Sequence, residues 1–132
     1  MRALICGSRG WRDPAPIARL LDDLLAEHGA DLTLIHGGCP KGADAIAHAE
    51  AAKRGIRTIV ETARWNRFGG AAGPIRNQAM IDLHHPDAVF AFRSSGKSRG
   101  TDDMVNRARR ASVPTRIFTD PGEPTRRAGY TD

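Results

Sequence analysis

The sequence predicts an α/β fold, a Rossmann-like doubly wound parallel sheet of five strands in the order 3-2-1-4-5. Five short, nearly continuous apolar runs alternate with helical segments, a pattern typical of parallel strands that are covered on both faces. The chain has 132 residues, of which 40% are hydrophobic, so it can form one domain with a core. Right-handed crossovers between parallel strands then favour the doubly wound topology.

The predicted elements alternate along the whole chain. The segment 14–28 carries leucines at the spacing of one helix face, and the alanine-rich segment 41–55 ends at Gly55, a residue type common at helix C-termini. A third helix follows Pro74 within the segment 73–85, and a fourth spans residues 101–112. The predicted strands are residues 3–6, 32–36, 56–61, 87–92 and 114–118.

We expect one domain over residues 1–118 and a flexible tail over residues 119–132, which are rich in turn-forming residues. No apolar stretch approaches the roughly 20 residues that span a bilayer. The N-terminus leads directly into a predicted strand and has no pattern of a signal peptide. These features predict a cytoplasmic protein without a membrane partner.

The cysteines and histidines predict neither a metal site nor a cofactor. Cys6 and Cys39 are far apart and form no C-x-x-C pair, so free thiols are expected. His84, His85 and Asp87 lie where a helix ends, and no further ligand is in view.

Glycine-rich segments follow three of the predicted strands. We call them the first glycine loop (7–10), the second glycine loop (37–44) and the third glycine loop (94–103). With the strand order 3-2-1-4-5, all three converge at the carboxyl ends of the strands, where sheets of this kind bind ligands. Free backbone N–H groups and helix N-termini favour an anion there. Because each loop also carries a cation, namely Arg9, Lys41, and Lys97 with Arg99, we predict a ligand with phosphate groups.

The third glycine loop is not a Walker A loop, although it contains Gly96-Lys97-Ser98. That motif needs a glycine five residues before Gly96, where this chain has Ala91. The general prediction of an anion site does not depend on the Walker spacing.

Four segments together resemble the SLOG superfamily: "CGSRGW", "HGGCPKGADAIAHA", "GPIRNQAM" and "SGKSRGTDDM". This superfamily joins the DNA-processing protein DprA/Smf with the Lonely Guy phosphoribohydrolases, and the chain is most similar to its small YspA/YpsA-like branch. The resemblance covers residues 1–118. It implies a Rossmann-like domain that binds a nucleotide or a nucleotide-derived ligand, often as a homodimer.

The resemblance and the loop cations together define a candidate ligand site. Arg76 matches the functional arginine that Lonely Guy enzymes carry in the helix after strand three, and Asn77 lies beside it. Asp44 is expected either near a ribose or as a residue that orders its loop. The full predicted set is Gly7, Ser8, Arg9, Gly37, Gly38, Lys41, Gly42, Asp44, Arg76, Asn77, Gly96, Lys97, Ser98, Arg99, Gly100 and Thr101.

One departure from the Lonely Guy pattern concerns catalysis. Those enzymes have a catalytic glutamate three residues after the threonine of the third glycine loop, where this chain has Met104. Asp102 and Asp103 are the candidates to replace this glutamate, and Arg76 is the third candidate catalytic residue. On a helix, the two aspartates lie 100–200° around the axis from the direction in which the glutamate would point. Alternatively, they complement the positive end of the helix dipole.

Trp11 and Trp65 are candidates for stacking on a base, and the alternative is that they cover the core. Three functions follow from these observations. The first is a sensor or effector module that binds a nucleotide, NAD-like or ADP-ribose-like ligand. The second is a phosphoribohydrolase that cleaves a nucleoside monophosphate. The third is DprA-like binding of single-stranded DNA, which the formal net charge of +5 favours and the scarcity of aromatic residues disfavours.

Overall fold

The protein forms one mostly parallel sheet covered by helices on both faces, as the sequence predicts. The computed structural model describes residues 1–120 and the backbone of residues 129–131. The strands are β1 (Arg2–Gly7), β2 (Thr33–His36), β3 (Arg57–Val60), β4 (Ala88–Arg93), β5 (Thr115–Thr119) and β6 (Gly129–Thr131). The helices are α1 (Ala15–His28), α2 (Gly42–Lys53), α3 (Trp65–Phe68), α4 (Ala72–His84) and α5 (Arg99–Arg110).

The strand order is β3-β2-β1-β4-β5-β6, and the five predicted strands are parallel to one another. The predicted order 3-2-1-4-5 is therefore confirmed. The order of strands along the sheet reverses at β1, which pairs with β2 on one side and with β4 on the other. The loops after these three strands consequently lie side by side at the carboxyl edge of the sheet.

The C-terminal region differs from the sequence prediction, which placed residues 119–132 in a flexible tail. Thr119 ends β5, and residues 129–131 pair with β5 in antiparallel orientation as β6. A strand of three residues is too short to produce a recognisable alternation of apolar residues. The rest of the predicted tail, residues 121–128 and 132, lies outside the described residues.

The sheet separates two apolar clusters. Along β1, Ala3 and Ile5 face the cluster beneath α1 and α2, whereas Leu4 and Cys6 face the one beneath α4 and α5. This alternation is the period of two expected for a strand that is buried on both faces. No helix among the described residues combines the length and the apolar character that are needed to cross a bilayer.

Candidate functional site

The three glycine loops and the start of α4 surround one cleft of about 610 Å³ at the carboxyl edge of the sheet. A cleft of this size can hold most of a small organic ligand. The predicted residues that line it are Gly7, Ser8, Arg9, Gly37, Asp44, Trp65, Arg76, Asn77, Lys97, Ser98, Arg99, Gly100, Thr101 and Asp103.

Hydroxyl groups join the first glycine loop to the third. The Ser94 backbone N–H donates to Ser8 Oγ (2.9 Å), and Ser8 Oγ donates to Ser98 Oγ (3.0 Å). Ser98 Oγ in turn donates to Thr101 Oγ1 (2.7 Å). Because Ser8 and Thr101 are buried, these bonds fix the two loops against each other.

Gly42 joins the first glycine loop to the second. Its φ is +72°, and a Cβ at this position would clash with the Ser8 carbonyl oxygen and with the Arg9 backbone. Only glycine combines this backbone conformation with so close an approach. Gly42 therefore shapes the loop without lining the cleft.

Three further predicted residues of the loops do not line the cleft. Gly38 packs beside Val60 and Thr62, Lys41 is exposed ahead of α2, and Gly96 borders a separate groove between the third glycine loop and β5.

The prediction that Trp11 stacks on a base is wrong. Trp11 is 2% exposed and packs edge-on against Phe92, with 5.4 Å between ring centroids. Its Nε1–H donates to the Asp13 carbonyl oxygen (2.7 Å), so it covers the core, which was the alternative. Trp65 is 50% exposed and lines the cleft; its stacking role stays a prediction.

Arg76 and Asn77 cross the floor of the cleft. Arg76 Nη1 donates to the Gly37 carbonyl oxygen, and Arg76 Nε donates to Asn77 Oδ1 (2.9 Å). Asn77 Nδ2 donates to the Gly100 carbonyl oxygen (3.2 Å) and to Asp103 Oδ2 (2.9 Å). Two side chains of α4 thus join the second glycine loop to the third.

The two candidate acids have different surroundings. Asp103 lines the cleft, and hydrogen bonds from Arg107 and Asn77 outweigh its partial burial, so that its pKa lies below the usual value. Asp102 does not line the cleft, because Arg93 binds both of its carboxylate oxygens (2.8 and 3.1 Å) on the other side of the loop. The prediction of Asp102 as a cleft residue is therefore wrong. Met104 is fully buried in the core.

Asp44 orders the second glycine loop. It is 7% exposed, and its Oδ2 accepts the Cys39 backbone N–H (3.2 Å). Burial raises its pKa, whereas hydrogen bonds from the Cys39 and Gly37 backbone and the charge of Arg76 partly lower it. The proposed proximity to a ribose stays a prediction.

His36, the last residue of β2, is hydrogen-bonded to the second glycine loop. Its Nδ1 accepts the Gly38 backbone N–H (2.9 Å), so Nδ1 carries no proton, and its Nε2 lies 2.9 Å from His48 Nδ1. Burial, His48 and Arg76 lower the pKa of His36 to about 4. The ring is therefore neutral at neutral pH.

We expect the stability of the protein to fall between pH 6.5 and pH 4 because of His36. In this range the unfolded chain binds a proton that the folded protein does not, so acidification favours unfolding by about 3 kcal/mol at most. In His36→Asn, the amide oxygen can still accept the Gly38 N–H but does not titrate. Urea unfolding of both proteins from pH 7 to pH 4 should show a smaller loss in the variant. An equal loss would assign the pH dependence to other groups.

Three cations of the cleft have no partner among the described residues. Arg9, Lys97 and Arg99 are exposed and line the cleft. Within the part of the chain that the structure describes, their side chains form neither a hydrogen bond nor an ion pair. Three unpaired cations around one cleft favour an anionic occupant.

Sequence reasoning missed several residues of the cleft wall. Gly70, Gly73 and Pro74 form one side of it, and the Gly69-Gly70 pair before a helix was the available signal. The others lie within the quoted motifs or the third glycine loop but were not singled out as site residues, namely Cys6, Gly10, Cys39, Met80, Ser94 and Ser95.

Comparison with known proteins agrees with this architecture. The model of the YspA, cpYpsA-related SLOG family matches residues 1–68, which contain the first two glycine loops. The Gene 61 protein of Mycobacterium phage D29 is 35% identical over 124 residues, covering 90% of this chain and 97% of the phage protein. The chain therefore belongs to the YspA, cpYpsA-related SLOG family.

Proposed function

We propose that the cleft binds a nucleotide or a nucleotide-derived ligand and that the protein acts as a sensor or effector module. The observation that carries this proposal is a set of three cations around one cleft at the point where the strand order reverses. These cations, Arg9, Lys97 and Arg99, are unpaired within the part of the chain that the structure describes. Membership of the SLOG family supports the same class of ligand.

The polar groups of the cleft suit the parts of such a ligand. The unpaired cations and the N-terminus of α5 favour phosphate groups. The half-exposed indole of Trp65 lies on the wall built by α3 and α4 and can stack on a base. The carboxylate of Asp103 faces the cleft and can accept hydrogen bonds from sugar hydroxyls.

The geometry favours binding over hydrolysis of a nucleoside monophosphate. Met104 is buried and Asp102 is held outside the cleft by Arg93. Asp103 is bound to Arg107 and Asn77, and its lowered pKa leaves it ionised at neutral pH. It therefore has no proton to donate to a leaving base.

Binding of single-stranded nucleic acid is a second candidate, and the charge around the cleft favours it. The described connections that lead from strands into helices carry five cations and two acids. The cations are Arg9, Arg12, Lys41, Arg64 and Lys97, and the acids are Asp13 and Glu61. The connections at the opposite edge carry Asp31 and Asp87 against Arg54 alone. Such a one-sided field suits a chain of phosphates longer than the cleft.

Thermal unfolding in the presence of ligands tests both candidates. The panel is AMP, GMP, CMP, NAD, ADP-ribose and a short single-stranded oligonucleotide. A compound present at 100 times its dissociation constant adds about 2.7 kcal/mol of stability, a shift of the midpoint of roughly 8 °C for a domain of this size. We expect such a shift with at least one small nucleotide, and free base is then assayed after prolonged incubation with it.

The other outcomes are equally informative. A shift with the oligonucleotide alone, lost between about 50 and 200 mM salt, would favour the second candidate. Release of free base would restore the phosphoribohydrolase hypothesis. If no compound changed the midpoint, the proposal of a nucleotide site would be wrong.

A further inference from the structure

We propose that Asn77 is a positioning residue, which orients the guanidinium of Arg76 toward the cleft and couples it to the start of α5. The expected effect on ligand affinity rests on the proposed function, whereas the positioning of Arg76 does not. Asn77 was expected to contact the ligand itself. Its burial and its hydrogen bonds assign it a different role.

Asn77 has little capacity left for a ligand. It is 3% exposed; its Oδ1 accepts from Arg76 Nε, and both protons of its Nδ2 have acceptors, the Gly100 carbonyl oxygen and Asp103 Oδ2. The amide has only one orientation that satisfies these contacts, since Arg76 is a pure donor and the other two groups are pure acceptors. A buried amide with this many bonds is rigid.

The bonds of Asn77 determine which edge of Arg76 faces a ligand. Arg76 uses Nε toward Asn77 and Nη1 toward the Gly37 carbonyl oxygen. Its guanidinium also lies against Gly37, where a Cβ would clash with it. Within the described residues Nη2 has no hydrogen-bond partner, and Arg76 lines the cleft. Nη2, with its two N–H groups, is therefore the edge available to an anion.

Asp103 extends the same chain of contacts along the interface between α4 and α5. Its Oδ2 accepts from Asn77 Nδ2 and from Arg107 Nε (2.8 Å), and Arg107 Nη1 donates to Gln78 Oε1 (3.0 Å). Asn77 thus fixes Arg76 and the start of α5 relative to each other. The two regions should act on one anionic ligand as a unit.

NMR of the arginine side chains tests the positioning without any ligand. In the wild-type protein, the Arg76 Nε–H should exchange slowly with water, because it is hydrogen-bonded and half-buried. We expect Asn77→Ala to raise this exchange rate at least about tenfold. In Asn77→Asp, an oxygen can still accept the Arg76 Nε–H, whereas the donors to Gly100 and Asp103 are lost. This variant should keep the slow exchange of the Arg76 Nε–H.

Gln78→Ala is the matched control, because it removes a neighbouring amide of α4 that contacts Arg107 and not Arg76. It should leave the Arg76 Nε–H unchanged. Urea unfolding of each variant shows whether it folds. Fast exchange in the wild-type protein, or slow exchange preserved in a folded Asn77→Ala variant, would overturn the inference.

The affinity for ADP-ribose tests the consequence in a double-mutant cycle. We expect Asn77→Ala to weaken binding about tenfold in the wild-type background and to have little effect when Arg76→Ala is already present. Equal losses in both backgrounds would show that Asn77 does not act through Arg76. If ADP-ribose does not bind the wild-type protein, that ligand is excluded, and the exchange measurement still decides whether Asn77 positions Arg76.

Discussion

Replacing Gly42 with alanine is expected to lower the free energy of unfolding by about 4 kcal/mol. The positive φ of +72° costs an L-residue about 1 kcal/mol. The added Cβ would also overlap the Ser8 carbonyl oxygen and the Arg9 backbone, and forced overpacking costs up to about 3 kcal/mol. Because the obstacle is backbone, it cannot rotate away as a side chain would. Urea unfolding followed by circular dichroism measures the change.

Alanine substitutions at two other glycines separate the conformational part of this loss from the steric part. Gly55, just beyond the other end of α2, has a φ of +66° but open space around its Cβ position. Gly55→Ala should therefore cost only the conformational part, about 1 kcal/mol. Gly10 has neither a positive φ nor a near neighbour, so Gly10→Ala should be close to neutral. A loss in Gly42→Ala no larger than that in Gly55→Ala would contradict the close approach of the two loops.

The strand order and the convergence of the glycine loops could be predicted because both depend on local patterns. Apolar runs that alternate with amphipathic segments limit the topology, and a parallel topology brings the strand ends to one edge. The direction of individual side chains could not be predicted in this way. Asp102 and Asp103 are neighbours in sequence, yet one binds Arg93 outside the cleft and the other binds Asn77 inside it.

The roles of Gly42 and Asn77 depend on contacts between residues distant in sequence. Gly42 approaches Ser8, and Asn77 contacts Gly100 and Asp103. A sequence motif indicates that such positions are important, but it does not indicate which residues they contact. Trp11 shows the same limit: its position after a glycine loop suggested contact with a ligand, but its ring packs on Phe92.

Replacing Arg9, Lys97 and Arg99 together with glutamine is expected to weaken nucleotide binding about a thousandfold while leaving the fold intact. A hydrogen bond to a charged group contributes about 1.5 kcal/mol. Loss of three such contacts corresponds to about 4 kcal/mol, or a factor of about 1000 in the dissociation constant. Isothermal titration with the panel compound that stabilises the wild-type protein most gives the comparison.

The stability of this triple variant should be equal to or slightly higher than that of the wild-type protein. The three side chains are exposed and make no bond within the described residues that the substitution would remove. Arg99 also begins α5, where a positive charge opposes the helix dipole by a few tenths of a kcal/mol. A cation that slightly destabilises the folded protein, as Arg99 does, is typical of a binding site, where function and stability oppose each other.

A second triple variant controls for the change in net charge. Arg2, Lys53 and Arg57 are exposed and lie at the opposite edge of the sheet, at the start of β1, the end of α2 and the start of β3. Their replacement with glutamine lowers the net charge by the same three units, so a long-range effect of charge would weaken binding equally in both variants. We expect the control to lose less than about threefold, because charges farther away than a Debye length are screened. Equal losses in the two variants would mean that the ligand responds to the overall field of the protein, as a nucleic acid strand would, and not to contacts within the cleft.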